Sequence, residues 1–253
     1  MKVSSWREAY RELLTHPEKA GVYRNYGNRK LMYKICKLLE NYKSHGNCLL
    51  DAGCGDGQYI YLAKSMGYRV IGMDISKEKL KRARQYSKVI VGDITEIPCK
   101  TEYFDVVLCT EVLEHIIDQK KAISEISRVL KCGGKLILSV PTHGLFRWLP
   151  AMFNKKCYLS PEHVREYSIL PFRHHYRFQR LYSLLKANRL EITKTYGAFF
   201  LDFPRSQRIA NIKPFSKLFD LFEIFGNVRP FKYFCRYVIF TCIKTNTQYE
   251  GYR

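Results

Sequence analysis

In the stretch "LLDAGCGDGQ" (residues 49–58), Asp51 closes an apolar run, and Gly53, Gly55 and Gly57 follow at alternate positions. Glycines so spaced let a backbone turn sharply and come close to a ligand with no side chain between them. Such a loop alone is compatible with turn geometry only, but two further acids sharpen the reading. Asp74 ends the next apolar run, about twenty residues on, where a carboxylate accepts hydrogen bonds from a ribose diol. Asp93 ends the third, in "VGDI", where a carboxylate beside a backbone amide suits an adenine edge. Three acids in these places bracket a nucleoside better than a pyrophosphate. No basic residue enters the loop, and Asp51 and Asp56 would repel a dinucleotide's phosphates. A nucleoside carrying a cationic centre fits.

The elements that must hold these residues are legible around them. "NCLLDAG", "RVIGMDI", "KVIVGDI", "YFDVVLCT" and "KLILSVP" read as strands, and helical stretches at 56–66, 77–86 and 111–131 separate them, the last ended by Gly133 and Gly134. Continuous β-branched runs between helices indicate a parallel sheet buried on both faces, a doubly wound α/β fold. Upstream, residues 6–14 and 29–43 carry apolar positions at helical spacing. Downstream, the rhythm breaks after Pro141. Residues 142–176 read as an insertion over the strand ends, then a helix at 178–187, the strand "EITKTY", an aromatic-rich helix at 212–226 and a last strand "YVIFTCIKT" complete the chain.

Taken in order, "LLDAGCGDGQ", "GMDIS", "VGDITEIP", "FDVVLCTEVLEHI" and "RVLKCGGKLILSVP" resemble the motifs of class I, Rossmann-like S-adenosylmethionine-dependent methyltransferases, in particular the branch holding ubiquinone-type and other small-molecule enzymes. The resemblance covers residues 47–141 and the final two strands. It implies one domain with a mostly parallel seven-stranded sheet, the last strand antiparallel, and helices on both faces. Residues 1–46 then form a helical lid, 47–141 the cofactor core, 142–176 a substrate lid after strand five, and 177–253 the completion of the sheet. It further implies that Asp51 and Gly53–Gly57 hold the methionine part of S-adenosylmethionine, Asp74 the ribose, and Asp93 with Ile94 the adenine. Cys54, Ile75 and Thr110 join that cofactor-binding set.

Methyl transfer from a sulfonium is an in-line displacement, so the protein must align the acceptor and remove its proton. Glu111, Glu114 and His115 of "EVLEHI" follow strand four and, on a helix, share a face. Three readings stand side by side. His115, or Glu111, is a catalytic base. Alternatively, Glu111, Glu114 and His115 hold a divalent cation such as Mg2+, as an E-x-x-E-H segment does in some ubiquinone-pathway and small-RNA methyltransferases that this chain resembles. Or the segment only shapes its helix. A metal would need a further ligand, with His143, His163, His174 and His175 the nearby candidates.

The chain has 253 residues and a formal net charge of +20. Lys and Arg outnumber Asp and Glu by 10 to 4 over residues 1–47, 15 to 12 over 48–150 and 18 to 7 over 151–253. A near-neutral core with basic flanks suits an anionic partner. The flanks are also aromatic, with Trp6, Tyr10, Tyr23, Tyr26, Phe146, Trp148, Phe153 and Tyr158. That mixture suits a small or lipid-like acceptor, or RNA bases in a 2′-O-methylating enzyme, although no RNA-binding module is recognisable. A cofactor-binding subunit without activity is the third class. The helix at 212–226, rich in Phe and flanked by Lys213, Lys217, Arg229 and Lys232, could rest on an anionic membrane, or serve as a lid or dimer helix. No stretch is long and apolar enough for a transmembrane span. Nine cysteines without C-x-x-C spacing read as reduced thiols in a cytoplasmic protein.

Overall fold

The computed structural model describes residues 5–16, 26–142, 173–201, 206–229 and 231–246. Among these, seven strands form one sheet: β1 (Cys48–Ala52), β2 (Arg69–Asp74), β3 (Lys88–Val91), β4 (Phe104–Thr110), β5 (Leu130–Pro141), β6 (Leu190–Ala198) and β7 (Tyr237–Lys244), in the order β3-β2-β1-β4-β5-β7-β6. β1 to β5 pair in parallel, and β7 is antiparallel to both β5 and β6. The expected sheet is therefore present, with its one reversed strand.

The helices are α1 (Trp6–Thr15), α2 (Tyr26–Tyr42), α3 (Gln58–Ser65), α4 (Lys77–Ala83), α5 (Gln119–Val129), α6 (Arg173–Ala187), α7 (Ser206–Ala210) and α8 (Lys213–Phe222). Pleating sends alternate strand residues to opposite faces. Leu49, Val106 and Leu108 meet α1 to α4 on one side. Leu50, Val107 and Cys109 meet α5 and α6 on the other. Each fully buried Leu contributes about 1.5–3 kcal/mol, so the sheet is held from both faces. Cys48, Cys109 and Cys242 are buried free thiols, small apolar side chains in that second core.

Helix α2 is tied to the excursion between β6 and β7. Tyr26 donates to Asp220 at 2.5 Å, Lys30 pairs with the same carboxylate, and Lys34 bonds the Gly197 carbonyl and faces Glu223. Farther along, the Tyr237 hydroxyl donates to Asn28.

Two expectations are corrected. Residues 111–131 are not one helix: Glu111 has φ +54°, a 3-10 turn spans Leu113–His115, and α5 starts only after Asp118, whose side chain caps the Lys121 amide at 3.0 Å. α5 then runs straight into β5 at Leu130, so Gly133 and Gly134 lie inside the strand instead of ending a helix. The predicted helix over 212–226 is α8 followed by a 3-10 turn, Glu223–Asn227. The insertion expected at 142–176 falls mostly at 143–172, outside the described residues, and its last residues belong to α6.

Candidate active site

In a parallel sheet the carboxyl ends of neighbouring strands form one rim, and ligands bind there. Asp51 sits in β1 at this rim, wholly buried, and among the described residues neither of its carboxylate oxygens has a hydrogen-bond partner. Burial, and next the nearby Asp74, push its pKa up to about 8. A buried polar group without a partner is costly, and a binding site is one reason to retain it.

The chain then turns. The Gly53 and Cys54 amides both donate to the Met73 carbonyl, at 2.7 and 2.9 Å, which ties the loop to β2. Gly53 has φ +84°, and a Cβ there would stand 2.2 Å from the Val112 side chain. Gly55 differs. Its φ is +53°, yet a Cβ placed on it meets nothing within 4 Å among the described residues. The loop thus leaves open space beside an unsatisfied carboxylate.

Asp74 closes β2 and accepts from the Gly55 amide through one oxygen and the Ser76 amide through the other, each at 2.9 Å. One lone pair per oxygen remains for a ligand. Asp93 accepts from the Thr95 amide and hydroxyl at 2.8 and 2.9 Å, bonds that hold its pKa below the usual carboxylate range. Ile75 is 70% exposed, an apolar surface offered next to Asp74. Two predicted residues face elsewhere. Ile94 packs in the second core, and Cys54 lies in the first, its sulfur beneath Gly72. Only their backbones can address a ligand, because the turns after β1 and β3 direct these side chains inward. Thr110, in β4, is buried and paired in register with Ser139.

Ser139 was read only as part of a strand, yet it organises Glu111. The Ser139 hydroxyl donates to Glu111 Oε1 at 2.8 Å, and the Glu111 amide faces the Ser139 carbonyl and hydroxyl at 3.3 and 3.2 Å. Burial, then Glu114, raise the Glu111 pKa to about 8, with the Ser139 bond and the Arg236 charge opposing. The phenol of Tyr59 is buried near the same two carboxyls, Glu111 and Asp51, its pKa well above normal. The sign missed in the sequence was one hydroxyl within the apolar run "LILSVP".

Glu114 is tucked in with its side chain 5% exposed, whereas the His115 side chain is 50% exposed and 3.9 Å from Glu114. The shared helical face expected for Glu111, Glu114 and His115 does not exist, since the left-handed Glu111 breaks the helix. Among the described residues, no group of three His, Cys, Asp or Glu side chains is placed to hold a metal ion. His143 and His163, and the side chains of His174 and His175, lie outside the described residues.

The donor set suits a nucleoside with a positive centre. Asp51 offers an unpaired carboxylate, Gly55 a gap and Asp74 acceptor capacity for a diol, while the cation beside the loop, Arg82, is paired with Asp56 at 3.6 Å. The seven-stranded order is that of the Rossmann-like fold, and the donor set is one that S-adenosylmethionine fits. Residues 50–138 match the family described as a methyltransferase domain.

A probable S-adenosylmethionine-dependent methyltransferase of Mycolicibacterium smegmatis is 32% identical over 157 residues, 61% of this chain and 56% of that protein. A tRNA (carboxymethyluridine(34)-5-O)-methyltransferase of Arabidopsis thaliana is 34% identical, over 53% of this chain and 33% of its own. A ubiquinone biosynthesis O-methyltransferase of Idiomarina loihiensis is 29% identical, over 63% and 69%. The chain spans about half the length of the first of these curated relatives. A structure described as that of a putative sarcosine dimethylglycine methyltransferase from Galdieria sulphuraria shares the fold, with a TM-score of 0.56 and 17% identity over 87% of this chain and 88% of that one. The named acceptors differ, so the ubiquinone-type branch is not singled out.

Proposed function

We propose that the protein transfers the methyl group of S-adenosylmethionine to an oxygen or nitrogen of a small or lipid-like acceptor. The observation that carries this is the buried, unpartnered Asp51 carboxylate beside the open Gly55 turn. A cationic ligand there restores the missing interaction and favours the ionised carboxylate. Asp74 would hold the ribose, and Asp93 with the Ile94 backbone the adenine.

Glu111 is the better of the two candidate bases. Its pKa of about 8 lies close to neutral operating pH, it is fixed by Ser139, and it keeps a strained left-handed backbone of the kind that gathers at functional sites. When bound, the cofactor supplies the electrophilic methyl group. The protein's own part is to orient the acceptor and let Glu111 Oε take its proton. His115, half exposed, would then shape the rim.

The aromatic, apolar excursion 199–236 leaves the same rim and favours a lipid-like acceptor. The charge of +20, with the tRNA-acting relative, favours RNA as the second reading. Incubation with S-adenosylmethionine labelled on its methyl group, in host extract split into RNA, protein and organic-soluble fractions, decides between them. Label in the organic or small-metabolite fraction supports the first reading, and RNase-sensitive label overturns it.

A further inference from the structure

β6 runs parallel to β5, since both are antiparallel to β7, so the chain leaves β6 at the same rim as the glycine loop. The excursion that follows carries α8. One face of α8 is accounted for: Phe219 is buried against Tyr26 and Phe199, with ring centroids 5.6 and 6.3 Å away. The other face is apolar too. Ile212, Phe215, Leu218, Leu221 and Ile224 recur every third residue and continue to Val228, all exposed, Leu221 at 67% and Ile224 at 62%. Contiguous large apolar groups on a surface mark an interaction site.

The charges left unneutralised around the stripe are basic. Between Ser206 and Arg229 the acids are Asp220 and Glu223. Asp220 is paired with Lys30 and Tyr26, and Glu223 with Lys34 and the amides of Phe199 and Phe200. Both are thus neutralised by contacts within the fold. The basic residues Arg208, Lys217 and Arg229 are exposed. An apolar stripe beside outward cations, its two acids tied to lysines of α2, is the pattern of a surface that lies in an anionic lipid interface. No described helix is long and apolar enough to cross a membrane, so the contact would be peripheral.

We infer that α8 and the turn after it dock this protein on an anionic phospholipid bilayer, with the rim that carries Gly55 and Glu111 held beside the lipid. The docking does not depend on methyl transfer and is read without it.

The test is co-sedimentation of the full chain with phosphatidylcholine vesicles, with and without phosphatidylglycerol. The expected result is binding to the anionic vesicles that weakens with salt and falls by roughly tenfold or more in Leu218→Ser/Leu221→Ser/Ile224→Ser. These side chains are exposed, so the variant should keep its circular dichroism and its affinity for S-adenosylhomocysteine. Absence of vesicle binding, or equal binding by the variant, overturns the inference. So does a variant that merely converts a dimer to a monomer in light scattering while neither form binds vesicles.

Discussion

The amide of Gly55 donates to Asp74 Oδ2 at 2.9 Å, so the acid assigned to the ribose also braces the glycine loop. Hydrogen bonds to a charged acceptor contribute about 1.5–3 kcal/mol. Asp74→Ala should therefore lose both the ligand contact and the brace, and weaken S-adenosylmethionine by about a hundredfold or more in calorimetry. Asp74→Asn can still accept from Gly55 and should lose less. Wild-type affinity in the alanine variant would remove the ribose assignment.

Asp51 predicts a pH dependence of stability. Its pKa is near 3.8 when unfolded and about 8 when folded, so the native state holds the proton longer. The stabilisation is complete below the unfolded value and drains away as pH rises through the folded one. Asp51→Asn should make ligand-free melting less sensitive to pH across that window and more stable near its upper end, by about 2–4 °C per kcal/mol recovered. It should also abolish cofactor binding. A variant that melts like the wild type at every pH would show that the carboxyl is not desolvated.

The two loop glycines should fail differently. Gly53→Ala drives a Cβ into Val112 and should destabilise the fold, lowering the melting temperature. Gly55→Ala meets no atom of the described residues and costs only about 1–2 kcal/mol of left-handed strain. The protein should stay folded, and cofactor affinity should drop because the methyl group occupies the ligand's space. Undiminished affinity in folded Gly55→Ala would place the ligand elsewhere.

Glu111→Gln should cut turnover by about 10²–10⁴ with cofactor affinity little changed. Because a base works deprotonated, wild-type activity should rise with pH along a limb at or below about 8, and the variant should lose that limb. His115→Ala should cost far less. If the histidine variant is the one that fails, the base is His115.

The same geometry predicts that EDTA leaves turnover unchanged, since Glu111, Glu114 and His115 are not assembled as a donor set. Inhibition reversed by Mg2+ would reinstate the metal reading.

The sheet was legible because its central strands β1 and β4, buried on both faces, carry apolar runs, and the acids were legible because they close such runs. Residues 111–118 were misread for a local reason. Val112, Leu113, Ile116 and Ile117 mimic helical spacing, while one left-handed residue, Glu111, and the Asp118 cap decide the backbone. Ile117 is fully exposed as a result. The Ser139–Glu111 contact was out of reach because it arises from the register that pairs β4 with β5, and the Arg236 charge arrives only with the antiparallel return of β7. Ile94 and Cys54 sit in the right motifs, but the turns after β3 and β1 decide which side of the backbone faces the ligand.

The bonds that tie α2 to the excursion span much of the chain, 194 residues from Tyr26 to Asp220 and 209 from Asn28 to Tyr237. On a ribosome adding about 5–20 residues per second, α2 would wait on the order of ten seconds or more for these partners. Through that interval α2 has its early neighbours in the core, on α1, β1 and α3, and lacks those on β6 and beyond. The clasp that completes the native state is thus a contact of very high sequence separation, and its closure a late and slow event in folding.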